Sequence, residues 1–225
     1  MFHINRIHHI FAFLALIAIF MLPAFDAQAT EHIGKVDKVR IYAYGTAPGL
    51  SRTPLYARDP LFQNELVETV RDGALLAIFN DGSQLTIGSS TRMRLDRFVY
   101  AKGQGKDAMV LTMVRGALRF VTGKIDKPAF TLKTPQATIG IRGTDFIVQS
   151  RDGGTVISVL EGSVFVTFSD GSSTTLNAGQ TARYGNKNLQ ILDIVIKPDD
   201  LFIRRWDQEY DTRGGGGEDS GSNDF

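Results

Sequence analysis

The chain has 225 residues, enough for one or two ordinary domains, and its 43% hydrophobic and 22% charged residues make a composition that folds. With 25 Lys and Arg against 24 Asp and Glu the net charge is +1, which gives no whole-molecule attraction for nucleic acid. The absence of Cys excludes disulfides, thiolate metal sites, a thiol nucleophile and lipid-modified cysteine, and of the four His only His32 lies beyond residue 9.

At the amino end, Arg6 precedes a run of 13 apolar residues, 10–22, that is too short to span a bilayer as a helix. Pro23 stops the run, and Ala27-Gln28-Ala29 supplies the small residue, spacer and small residue of an export cleavage site. Residues 1–29 therefore read as a cleaved signal peptide. The expected location is periplasmic or secreted, with no membrane span after cleavage.

From residue 30 to 197 the pattern is of short strands between turns. Expected strands cover 39–44, 74–79, 84–88, 109–114, 117–121, 129–133, 145–149, 155–160, 163–168, 173–176 and 189–195. Several alternate apolar and polar residues, as Val164, Val166 and Phe168 do, which turns one face to a core. The pairs Asp81-Gly82, Asp152-Gly153 and Asp170-Gly171 suit the positive φ angles of tight hairpins. Residues 74–83 and 163–172 line up at an offset of 89, each as an apolar strand followed by Asp-Gly-Ser. The fold class that follows is all-β, with many short strands in a solenoid-like or sandwich-like domain.

The string Thr134-Pro135-Gln136-Ala137-Thr138-Ile139-Gly140-Ile141-Arg142-Gly143-Thr144-Asp145-Phe146 resembles the FecR domain. So do Phe79-Asn80-Asp81-Gly82-Ser83, Arg115-Gly116-Ala117-Leu118, Val159-Leu160-Glu161-Gly162 and Ala178-Gly179-Gln180. The resemblance runs over about residues 66–184. It implies an extracytoplasmic β-rich module. The best-known members place that module after a cytoplasmic segment and a membrane helix, and relay the state of an outer-membrane transporter to a sigma factor. Here an export signal stands in place of the cytoplasmic segment, so sigma-factor control is not carried over, and no family catalytic residue is available to transfer.

Within the string, residues 140–144 read as a turn in which Gly140 and Gly143 flank Arg142. Its guanidinium either braces neighbouring carbonyls or faces an anionic partner. Charge is also uneven along the chain. Between Arg92 and Arg142 stand eleven Lys and Arg against Asp96, Asp107 and Asp126, with Arg92 and Arg94 on one strand face. This band reads either as a solvated surface or as a site for an anionic glycan, lipopolysaccharide or acidic envelope protein.

At Pro198 the period changes. Pro198, Asp199 and Asp200 form a helix-start signature, and Phe202, Trp206 and Tyr210 recur every four residues. An amphipathic helix is expected over 198–212, either capping the β body or docking on a partner. Residues 213–225, with four consecutive Gly and three acids, are expected to be a disordered acidic tail.

No phosphate loop, serine elbow or calcium loop is present, and a catalytic, cofactor or metal site is not expected. The reading is a non-catalytic interaction or sensing module of the bacterial envelope. The alternative is a carboxylate-based carbohydrate-active enzyme using two of acids such as Asp81, Asp145 and Glu161. Amino-terminal sequencing of the exported protein is expected to start at Thr30, and recovery of membrane-extracted chains beginning at Met1 contradicts the signal reading.

Overall fold

The computed structural model describes residues 32–100, 108–123 and 129–195. The expected signal peptide, the 198–212 helix and the 213–225 tail lie outside the described residues. In chain order the strands are β1 (His32–Arg40), β2 (Ala43–Thr46), β3 (Thr53–Pro54), β4 (Pro60–Phe62), β5 (Glu65–Thr69), β6 (Ala74–Phe79), β7 (Gln84–Ile87) and β8 (Arg92–Val99). They continue with β9 (Ala108–Val121), β10 (Ala129–Lys133), β11 (Ala137–Arg151), β12 (Gly154–Phe168), β13 (Ser173–Asn177), β14 (Thr181–Gly185) and β15 (Asn188–Leu192). The fold is all-β, as the alternation and turn residues require, and no helix occurs among the described residues.

The pairings sort these strands into two layers. The first runs β3, β2, β5, β8, the 108–115 half of β9, β10, the 137–142 half of β11, the 163–168 half of β12, then β13. The second runs β4, β1, β6, β7, the 116–121 half of β9, the 145–151 half of β11, the 154–161 half of β12, β14 and β15. All neighbours are antiparallel except β9 and β10. Aromatic rings close the space between the layers. Phe98 and Phe130 of the first meet Phe79 and Phe120 of the second at 5.6 and 4.4 Å, and Phe168 stacks on Tyr184 at 4.5 Å. The single main core takes Met93, Leu95, Leu111, Ile139, Val164 and Leu176 from one side, and Leu75, Ile87, Leu118, Phe146 and Ile157 from the other. Without a disulfide, this apolar interleaving is the dominant driving force.

Three strands belong to both layers, and each bends where a glycine takes positive φ. These are Gly116 in β9 (φ 115°), Gly143 in β11 (54°) and Gly162 in β12 (76°). The other crossings are also at positive φ: Ile41 between β1 and β2, Arg58 between β3 and β4, Asn64 between β4 and β5, Asp72 between β5 and β6, Ser90 between β7 and β8, and Gly179 between β13 and β14. Two of these sites admit no side chain. A Cβ on Gly116 would lie 2.2 Å from Thr91 Oγ1, and one on Gly162 would lie 2.0 Å from the Gly143 carbonyl oxygen. Thr91 fills the space beside Gly116, its Oγ1 accepting from Ala117 N–H at 3.0 Å and donating to Ala117 O at 3.2 Å.

These corners correct several sequence expectations. The segments 109–114 and 117–121 are one strand bent at Gly116, and 155–160 and 163–168 are one strand bent at Gly162. Conversely, 39–44 is two strands broken at Ile41. At the two glycines a positive-φ residue inside a ladder makes a bulge that redirects the strand without ending it, whereas at Ile41 the ladder stops and resumes in the other layer. Gly140 and Gly143 are corrected likewise. Residues 140–144 form no turn but lie within β11, Gly140 opposite Thr131 and Phe165, with the register shifting between Arg142 and Asp145. The first-layer strands β5 and β8 were not anticipated, because Glu68, Arg92, Arg94 and Arg97 on their outward side dilute the apolar signal.

The internal repeat is real at the level of hydrogen bonds. Gly82 N–H donates to Phe79 O at 2.9 Å and Gly171 N–H to Phe168 O at 3.0 Å. Phe79 N–H donates to Ser83 O at 3.0 Å and Phe168 N–H to Ser172 O at 2.8 Å. Asp81 accepts from Ser83 N–H and Asp170 from Ser172 N–H at 2.8 and 2.9 Å. The match extends to the corners, where Ser90 N–H donates to Val70 O and Gly179 N–H to Val159 O. The two copies exchange layers, since β6 and β7 lie in the second layer while their counterparts, the end of β12 and β13, lie in the first.

Gly171 has φ 87°, and a Cβ added there would meet nothing within 4 Å. Gly171→Val is therefore expected to destabilise through backbone strain alone, by about 1 kcal/mol or somewhat more. Gly162→Ala adds a collision with the Gly143 carbonyl and is expected to lower the urea midpoint further than Gly171→Ala. Equal midpoints for the two alanine variants contradict the corner assignment.

Glu65 supplies a second test. It is 2% exposed, and its carboxyl is raised above the ordinary range by burial, with Asp59 adding and the Phe62 N–H, 2.9 Å from Oε2, opposing. A carboxyl with a raised native pKa contributes stability that is full below its unfolded pKa and is lost as pH rises through the native value. Glu65→Gln keeps an oxygen for the Phe62 N–H and is expected to gain melting temperature over the parent from acid to neutral pH. A constant difference across that range contradicts the burial argument.

Candidate functional site

The outward face of the first layer gathers the cations that the sequence placed in one band. Strand alternation puts Met93, Leu95, Leu111, Leu132 and Ile139 into the core and leaves their neighbours outside. Arg94 is opposite Thr112, Thr112 opposite Lys133, Lys133 opposite Thr138, and Thr138 opposite Thr167. In the adjoining rows Arg92 is opposite Arg115, and Arg97 is opposite Val110, which leads to Thr131, Gly140, Phe165 and Thr175. Arg94 and Lys133 are two strand spacings apart, roughly 10 Å. The surface is thus a broad one of guanidinium, ammonium and hydroxyl groups, with Phe165 54% exposed among them.

The two arginines singled out from the sequence are the partnered ones. Arg94 pairs with Asp96 on its own strand, and Arg92 lies 3.8 Å from Glu68. Glu68 also binds Arg52 at 3.0 Å, and Arg52 stacks 3.5 Å above the Tyr44 ring. Such half-exposed pairs contribute little stability, with a typical value of about 0–1 kcal/mol, but they reduce the charge these arginines offer. Arg97, Arg115 and Lys133 are exposed and have no ion pair among the described residues. The cross-strand pairing of Arg92 with Glu68 depends on register, which a linear count of charges does not contain.

Arg142 lies on β11 opposite Ser163, so its backbone borders this face, while its side chain lies outside what is described. Phe202, Trp206 and Tyr210 lie outside the described residues. Asp81 is 7% exposed and bound to Ser83 N–H and Oγ. Asp145 is held by Arg119 in a two-point pair, Nε to Oδ1 at 2.9 Å and Nη2 to Oδ2 at 2.6 Å. Glu161 sits opposite Asp145 in register but is exposed. Asp170 is exposed, and its carboxyl is lowered by hydrogen bonds from Ser172.

The family-like string proves to be a brace. Thr134 Oγ1 accepts from Gln136 and Ala137 N–H at 3.3 and 3.0 Å, and the Gln136 side chain accepts from Ser150 and Thr155 hydroxyls at 2.9 and 3.1 Å. Thr144 N–H donates to Thr122 Oγ1 at 3.0 Å, and Asp145 receives Arg119. A shallow hollow of about 320 Å³ opens at the far end of the second layer, between Gln149, Arg151, Val156, Arg183, Tyr184 and Gln190. Its lining contains no carboxylate. No group of three His, Cys, Asp or Glu able to hold a metal occurs among the described residues, and no described helix is long and apolar enough to cross a membrane.

No curated protein matches the sequence. Among solved structures, two crystal structures of a candidate anti-sigma factor from Parabacteroides distasonis match at 22% identity and a TM-score of 0.46. Each match covers 56% of this chain and 57% of the other, so the likeness spans little more than half of that protein. The family model described as FecR protein matches residues 65–165, from the start of β5 into the second half of β12. That match takes in the Thr134–Phe146 brace, all of β9 and β12 as far as Phe165, and over these residues the chain matches the FecR protein family.

Proposed function

We propose that this FecR-domain protein is a non-catalytic sensing or interaction module of the bacterial envelope that binds an anionic surface polymer across the first layer. The observation that carries this reading is the convergence of Arg97, Arg115 and Lys133, unpaired among the described residues, on one outward face with Arg92 and Arg94. A flat face of this kind suits a ligand that lies across strands. Rows of threonine hydroxyls between the cations supply donors and acceptors for sugar hydroxyls, and several weak charge contacts add to an attraction that salt screens over about 8–10 Å. The hollow is lined by no carboxylate, Asp81 is held by Ser83, and Asp145, though opposite Glu161, is bound by Arg119, so the carbohydrate-active-enzyme reading has less support.

The export signal supports placement where lipopolysaccharide and acidic glycans are encountered. An acidic envelope protein is the competing partner for the same surface. The acidic tail beyond residue 213 is a further candidate occupant, since its Glu218, Asp219 and Asp224 complement the face.

Triple reversal Arg97→Glu, Arg115→Glu and Lys133→Glu is expected to abolish binding of the mature protein to lipopolysaccharide at low salt. Reversing Arg92 and Arg94, which already have acid partners, is expected to weaken it less. Truncation before Gly214 is expected to strengthen it. Binding by calorimetry that is indifferent to salt and to all five residues contradicts the proposal. Binding only to an acidic envelope protein, with the same dependence on the three cations, replaces the polymer by that partner.

A further inference from the structure

The outward face of the second layer has a burial pattern that the two-layer body does not account for. One cross-strand row runs Thr86, Arg119, Ile147, Ser158 and Thr181 over β7, β9, β11, β12 and β14. The strands alternate, with Leu118, Phe146, Val148, Ile157 and Val159 in the main core, so this row points the other way. Residues there ought to be solvated. Instead Ile147, Ser158 and Thr181 are each 0% exposed, and Thr86 is 9% exposed. Ile147 and Ala117, also 0% exposed, form an apolar cluster separate from the main core, with Leu160 packed against it. In the next row Gln149 and Val156 are half-buried and Arg183 and Gln190 exposed, so the burial is confined to a band.

We infer that this band is the seat of the chain's own 198–212 segment, which lays Phe202, Trp206 and Tyr210 over Ile147, Leu160 and Ala117. Three observations select this occupant. The described chain ends in the right place, since Thr181 at one end of the row donates its hydroxyl to Ile194 O at 2.5 Å, and Val195 is the last described residue. The lengths agree. Fifteen residues of helix span about 22 Å, and the row from Thr181 to Thr86 crosses four strand spacings, about 19 Å. The chemistry agrees as well, because an aromatic side chain every fourth residue matches a narrow apolar strip crossing several strands. The inference is independent of the polymer-binding reading, which concerns the opposite face, and it assigns the aromatic stripe to an internal contact in place of a partner.

Trp206 is the only tryptophan, so its emission reports on this contact directly. In the intact mature protein the emission is expected to be blue-shifted relative to the denatured chain, and acrylamide quenching several-fold slower. Ile147→Thr keeps a β-branched residue in the strand while removing apolar surface, and is expected to shift the emission red and speed quenching with the β circular dichroism retained. Phe202→Ser, which changes none of the residues of the β core, is expected to do the same. Native Trp206 quenched as fast as in denaturant overturns the inference, and so does shielding that survives both substitutions. Shielding that appears only as protein concentration rises assigns the band to a second copy and overturns it equally.

Discussion

The structure depends on strands that turn a corner without ending. A β-ladder left to itself continues straight with its natural twist, and two layers then need separate strands joined by loops. Here β9, β11 and β12 each serve both layers, and the bend is possible only because Gly116, Gly143 and Gly162 take positive φ. At Gly116 and Gly162 the neighbouring chain also approaches to within a distance that no Cβ tolerates. Because the corners bring the layers together at a fixed spacing, Phe98, Phe130 and Phe168 of one layer reach Phe79, Phe120 and Tyr184 of the other. Close aromatic packing in turn keeps the corners from opening, so backbone geometry and apolar burial support each other.

The duplication explains how such a body is assembled from one device used twice. The same Asp-Gly-Ser hairpin and the same corner hydrogen bond recur at an offset of 89, yet the copies exchange layers. β9 stands between them, pairing with β8 and β7 of the first copy and with β11 of the second, while β10 adds to its first half. That position makes β9 the strand through which a disturbance in either copy reaches the other. It also places Arg115 and Arg119 of one strand on opposite outward faces, the first among the cations of the first layer and the second beside Ile147 in the second.

The two outward faces consequently have different chemistry. The first is broad, hydroxylated and cationic. Its charge is held apart by threonines, and it is partly neutralised toward β5, where Glu68 gathers Arg52 and Arg92. The second has a narrow buried band in which Ile147, Ala117 and Leu160 form a small apolar cluster beside the Arg119–Asp145 pair. Alternation along each strand separates both outward faces from the shared core, and the two faces differ because they belong to different layers.

Much of this was legible in the residues. The Asp-Gly pairs at 81–82, 152–153 and 170–171 dictated hairpins, alternation in 163–168 dictated a half-buried strand, and the Thr134–Phe146 string carried the family resemblance. These are local properties, set by φ preference and by the period of a strand, and local properties survive in a linear reading. What depended on contacts between distant segments did not. Whether Gly116, Gly143 and Gly162 ended a strand or bent it was decided by the chains packed across them, since a glycine permits either outcome. Which arginines stayed unpaired was decided by register, which set Arg92 near Glu68 and left Arg97, Arg115 and Lys133 without an ion pair among the described residues. The sequence alone determined an all-β body with a cationic stretch. Only the tertiary structure decided which of its charges lack an ion pair among the described residues and where an outward face carries a buried band, because both follow from neighbours dozens of residues away in the chain.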